Sequence, residues 1–158
     1  AYSEYYNWQK VLEAACAMIR KARTEKTKNE EEKMMALDLE NRERSYLFGR
    51  LLAAADKAES DSYDELDRNK RITNARRYWQ RFSTSPYQTW KVIEERLRPY
   101  IDKLEKGKAV YYQSLMDEIL SKFSFEDYTS TKRLEPSYLL GYHNQSKEFY
   151  KSKKNKEE

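Results

Sequence analysis

Residues 45–59 read SYLFGRLLAAADKAE, and within them Leu47, Leu51, Ala54, Ala55 and Ala58 recur at intervals of three and four. That is the period of one apolar helix stripe. Gly49 lies inside the stripe, where it lowers helicity by roughly 1 kcal/mol relative to alanine. A glycine so placed permits close helix packing or marks a kink. Asp38 and Asn41, just upstream, are both competent N-caps for this helix.

The same period extends both ways from there. Upstream, Trp8, Val11, Leu12, Ala15, Ile19 and Ala22 define a helix from Ser3 or Glu4 to Arg23. Residues 24–36 open with TEKTKNEEEK and read as a flexible polar linker. Downstream, Ser62 and Glu65 have capping-box spacing and start a third helix. It runs to Phe82 with Ile72, Ala75 and Trp79 inward. Ser85-Pro86 opens a fourth helix with a hydroxyl cap and a first-turn proline. Its register is Trp90, Ile93, Leu97, Ile101 and Leu104, its stop is Gly107, and Pro99 bends or divides it. A fifth helix covers Lys108 to Phe123, the loop SFEDYTSTKR follows, and a sixth runs from Pro136 to Lys151. The fold class is therefore all-α, a bundle of five to six helices: residues 1–150 form one domain and 151–158 a charged tail. The helical pattern is already under way at Ala1, as in a domain cut from a longer chain.

Composition agrees. Only 3 Gly and 3 Pro among 158 residues cannot supply the turns of a β-sandwich or a doubly wound sheet. Aromatics make up 14%, enough to argue against disorder throughout despite a mean hydropathy of −1.12. No apolar run approaches a membrane span of about 18 residues. The single cysteine, Cys16, excludes an internal disulfide.

Charge is unevenly spread. Residues 1–67 carry 11 basic and 15 acidic side chains, residues 68–108 carry 12 and 4, and residues 109–158 carry 8 of each. No acidic residue occurs between Asp67 and Glu94. At 100° per residue, Lys70, Arg77 and Arg81 fall on one strip of the third helix, opposite Ile72, Ala75 and Trp79. Arg71 and Arg76 flank it, and Lys91 and Arg98 lie seven apart on the fourth helix. Such a strip grips phosphates, serves solubility, or meets an acidic protein partner; the long absence of acids favours phosphates.

Nothing points to catalysis. His143 is the only histidine, no glycine loop cradles phosphate, and the carboxylates cluster in the linker or near a helix start. No enzyme activity, metal or cofactor is expected.

Four segments, in order, resemble one family. SYLFGRLLAAADKAE (residues 45–59) is similar to the leucine-glycine-arginine-leucine helix in the C-terminal region of the type I-C CRISPR Cascade large subunit. RITNARRYWQRFSTSPYQTW (71–90), KLEKGKAVYYQSLMDEIL (103–120) and YLLGYHNQSKEFY (138–150) resemble its following segments. The family usually has leucine where Phe48 stands, and His143-Asn144-Gln145 is one position out of step. The resemblance covers residues 37–150 and implies a helical bundle without catalytic activity. In that family this region acts as the small subunit of the cytoplasmic antiviral surveillance complex, either fused to the large subunit or made separately, beside the other Cascade subunits and the guide RNA. There it helps hold the target and displaced single strands of R-loop DNA, away from any membrane. Met34 and Met35 stand where an internal start would make it separately. Its grip residues are expected to be Arg68, Lys70, Arg71, Arg76, Arg77, Arg81, Lys91 and Arg98, with Arg50 a weaker candidate. The other expectation is a protein–protein assembly module that self-associates through tyrosines and touches no nucleic acid.

Overall fold

The structure is a computed structural model that describes residues 2–21 and 28–154. Ala1, Ala22, Arg23, residues 24–27 and the last four residues of the tail lie outside the described residues. Among the described residues there are ten helices and no strand. They are α1 (Tyr2–Lys21), α2 (Lys28–Met34), α3 (Arg44–Ser62), α4 (Glu65–Arg68), α5 (Asn74–Arg77), α6 (Trp79–Thr84), α7 (Pro86–Ile101), α8 (Lys106–Ser121), α9 (Phe125–Thr129) and α10 (Ser137–Lys154). No helix among them is long and apolar enough to cross a membrane.

α3 is the axis. α10, α7, α8 and α5 all pack against it. Its whole stripe is buried, and so are Arg50, Asp56 and Glu59 on its other sides. The three consecutive alanines, Ala53 to Ala55, let neighbours approach from several directions at once. Trp90, Phe82, Ile93 and Ile119 complete the surrounding core.

α3 and α10 cross at a pair of glycines. A Cβ on Gly49 would lie 2.8 Å from the Tyr142 nitrogen and closer still to the Tyr138 carbonyl oxygen. On Gly141 it would lie 2.9 Å from the Tyr46 carbonyl carbon, with the Tyr46 oxygen nearer. Each glycine thus accepts the other helix's backbone, so close packing rather than a kink is the role of Gly49. Gly107 has nothing within 4 Å of an added Cβ.

Helix boundaries depart from the periodic reading in several places. α2 occupies residues 28–34 of the stretch read as linker. Asp38 and Asn41 form local turns, their side chains accepting from the Glu40 and Glu43 amides, and α3 begins at Arg44. α7 ends at Ile101, two residues after Pro99, and Gly107 lies in the first turn of α8 instead of stopping α7. Pro99 has no amide to donate to the Glu95 carbonyl, and the helix ends two residues later. Ser124 caps the short α9 inside the stretch read as loop, accepting from the Asp127 amide at 3.1 Å.

The largest departure is the third helix. It is not one rod: α3 runs on to Ser62, and the remainder is divided into α4, α5 and α6, with residues 69–73 non-helical. Long-range bonds hold that break open. Thr73 donates to Asp56, and the Asn74 amide donates to Glu59 at 2.9 Å. Thr73 also caps α5, its side chain accepting from the Arg76 amide at 3.3 Å. Lys70 is therefore not on a common helical strip with Arg77 and Arg81.

α1 is held chiefly by one residue. Trp8 is 8% exposed, lies edge-to-face with Trp79 (5.9 Å) and Tyr142 (5.5 Å), and carries the Arg76 guanidinium 4.8 Å from its ring centroid. Val11 and Met18 on the same helix remain exposed.

Candidate nucleic-acid interface

Dividing the third helix brings its cations to a groove. A concavity of about 710 Å³ opens between the segment from Lys70 to Arg77 on one side and the end of α7 on the other. Lys70, Arg71 and Arg77 line the first wall; Arg96 and Lys103 line the second. All five are exposed. Among the described residues, Lys70, Arg77, Arg96 and Lys103 make no ion pair, and Arg71 bridges Asp67 at 3.5 Å with both side chains about half exposed. An exposed pair of that kind contributes at most about 1 kcal/mol, so Arg71 stays available.

Tyrosines set where the charges stand. Arg71 lies over Tyr63 (5.4 Å to the centroid), Arg96 over Tyr78 (5.5 Å) and Lys103 over Tyr100 (5.5 Å). Each contact lowers the mobility of a long side chain without neutralising it. Tyr63 meets Tyr100 edge-to-face at 5.7 Å, linking the two walls. Below them Glu59 is 2% exposed, and burial pushes its carboxyl above the usual range, opposed by bonds from Tyr63 and Asn74. The same burial, with the bond to Glu59, holds the Tyr63 phenol well above its ordinary value.

The remaining expected grip residues are dispersed. Arg68 is exposed beside the groove, its Nη2 donating to the Tyr63 carbonyl at 3.5 Å. Arg81 and Arg98 are exposed on α6 and α7 and do not line the groove. Lys91 pairs with Glu94 at 3.5 Å and lies over Tyr128, whose field and that of Glu94 raise its pKa. Arg76 is turned into the interior, where Asp56 and Trp8 hold its guanidinium. Arg50 is fully enclosed: its Nε donates to Gln145 at 2.9 Å, and burial lowers its pKa. Neither Arg50 nor Arg76 faces the groove.

Arg96 and Lys103 escaped the sequence reading. The signal was present: Pro99, Tyr100 and Lys103 follow Arg96 at three, four and seven, the first three on one face of the end of α7 and Lys103 in the turn just after it. Their place opposite Lys70 and Arg77 depends on the break in the neighbouring segment, which no local spacing reveals.

His143 has a plainer role. It is half-buried, and burial lowers its pKa, with Lys147 and Arg20 adding to the effect. A histidine held neutral by folding binds its proton more readily when unfolded. The stability it contributes is full above the unfolded value near 6.5 and is lost as pH falls through the folded one. In urea titrations at pH 7.5 and 5, wild type therefore loses more stability on acidification than His143→Gln. Equal losses would remove this assignment.

Among the described residues no three of His, Cys, Asp and Glu are grouped to hold a metal ion. A search of curated proteins finds no match. The family model described as CRISPR-associated protein (Cas_Csd1) matches residues 4–150, almost the whole chain from α1 through most of α10. By that match, the chain belongs to the Cas_Csd1 family of CRISPR-associated proteins.

Proposed function

We propose that this chain is the non-catalytic, small-subunit-like region of a cytoplasmic type I-C surveillance complex, holding the backbone of R-loop DNA without reading its sequence. The observation that carries it is the groove: five exposed cations on two facing walls, four of them without an ion pair among the described residues. Membership of a CRISPR-associated family supplies the context. In a guide-directed complex, base pairing supplies specificity and the protein needs only to grip phosphates. A binding groove of this kind gives affinity that falls with counterion concentration.

The test is fluorescence anisotropy with labelled single-stranded oligonucleotides of unrelated sequence across a salt series. Five phosphate contacts on a single strand give a slope of log K against log salt near −3.5, at about −0.7 per contact. The expected slope is between about −2 and −3.5, alike for all sequences. A flat salt response or no binding overturns the proposal.

Assembly through a second surface has its own support. Val110 and Tyr111 are each 53% exposed on α8, and Tyr150 is 60% exposed on α10. Concentration-dependent sedimentation without salt-sensitive DNA binding would favour that role alone.

A further inference from the structure

Glu59 is the only acidic side chain among the described residues lining a groove otherwise rich in cations. A carboxylate there opposes binding of a polyanion, so its presence calls for a compensating role. Its partners identify that role. The Tyr63 hydroxyl donates to it at 2.5 Å, the Asn74 amide at 2.9 Å, and the Asn74 Nδ2 group to both its oxygens at 3.1 and 3.2 Å. All are neutral donors, so Glu59 consumes none of the groove's positive charge. Tyr63 ends α3 and Asn74 begins α5. One carboxylate on the central helix therefore closes both ends of the excursion that carries Lys70 and Arg71. Through the Tyr63 ring the constraint passes to Arg71 on the same wall. Through Tyr100 it passes to Lys103 on the opposite one.

We propose that Glu59 is the positioning residue of the groove: it stays beneath the bound backbone and fixes the separation of the two cationic walls. This rests on the groove being where phosphodiester backbone binds.

The sign of one substitution separates positioning from electrostatics. Glu59→Gln keeps the shape but presents donors to the Asn74 amino group and removes a negative charge from under the ligand. Electrostatics alone makes the variant bind more tightly. Positioning makes it bind about 10-fold more weakly, with a salt slope flatter by about 0.7 to 1.4 as one or two phosphate contacts are lost. The exchange Glu59→Gln/Asn74→Asp reverses donor and acceptor, keeps the net charge, and is expected to recover affinity to within about 3-fold of wild type, together with the slope. Tyr63→Phe, which keeps the ring and loses one bond, carries the test if Glu59→Gln fails to fold, and is expected to weaken binding and flatten the slope. The probe is a labelled single-stranded oligonucleotide, and circular dichroism checks the fold of each variant. A folded Glu59→Gln or Tyr63→Phe variant that binds as tightly as wild type with an unchanged slope overturns the positioning role and leaves the groove as the binding site. Wild type that binds no oligonucleotide at all overturns both.

Discussion

Gly141→Ala is expected to destabilise the fold by about 3 kcal/mol or more. The methyl group it adds has no room: the Tyr46 carbonyl carbon would lie 2.9 Å away and its Cα 3.1 Å away, with the oxygen nearer still. These are backbone atoms inside a helix, so relief requires α10 to move bodily away from α3. That separation loosens the most extensive helix pair among the described residues and opens space beside Tyr46, Leu47 and Tyr142, all nearly fully buried. Overpacking of this kind costs about 1–3 kcal/mol where side chains can yield, and more where only backbone can. Gly49→Ala faces the same obstacle from Tyr138 and Tyr142 and falls in the same range. Gly107→Ala provides the contrast. It meets nothing, lies in the first turn of α8, and stabilises by up to about 1 kcal/mol because alanine is the better helix former. Urea midpoints for the three variants decide the matter. A Gly141→Ala protein within about 0.5 kcal/mol of wild type would mean that the two helices are not in such close contact.

The second large effect concerns binding. Lys70→Glu/Arg77→Glu/Arg96→Glu together are expected to lower affinity for single-stranded DNA by about 100- to 1,000-fold at low salt and to flatten its salt dependence. The three side chains come from both walls and are exposed, and none makes an ion pair among the described residues. Their reversal therefore changes the groove's charge without breaking an ion pair, and among the contacts named above it removes the one between Arg96 and Tyr78. The matched control is Lys106→Glu/Lys132→Glu/Arg133→Glu, an equal charge change on exposed positions that do not line the groove. If binding is local, the control costs less than about 10-fold; if only total charge matters, the two triples weaken binding alike. Arg81→Glu, on α6 and outside the groove, is expected to resemble the control.

Much of this architecture is legible in local sequence because its causes are local. The stripe from Leu47 to Ala58 and the Ser85-Pro86 start depend only on neighbours along the chain, and both stand where periodicity puts them. Ser85 marks the start without a side-chain cap bond, so the proline alone supplies the favourable first turn. The break at residues 69–73 has a remote cause. Asp56 and Glu59 reach from α3 to take Thr73 and Asn74, and no pattern within the broken segment announces it. The fate of Arg76 follows from the same remoteness: on a helical wheel it flanks the basic strip, but Asp56 and Trp8 draw it inward. The basic character of residues 68–108 was visible from counting charges. Which of those charges face one another was not, because the groove exists only after the helix divides and the end of α7 closes the other side.

α3 is enclosed by its neighbours, and that enclosure governs how the domain comes apart. A central rod with no free side offers no stable half to retain: peeling off α10 or α8 exposes the same apolar spine that the others need. Disassembly of the part built on that rod is therefore concerted, with local fraying confined to the periphery.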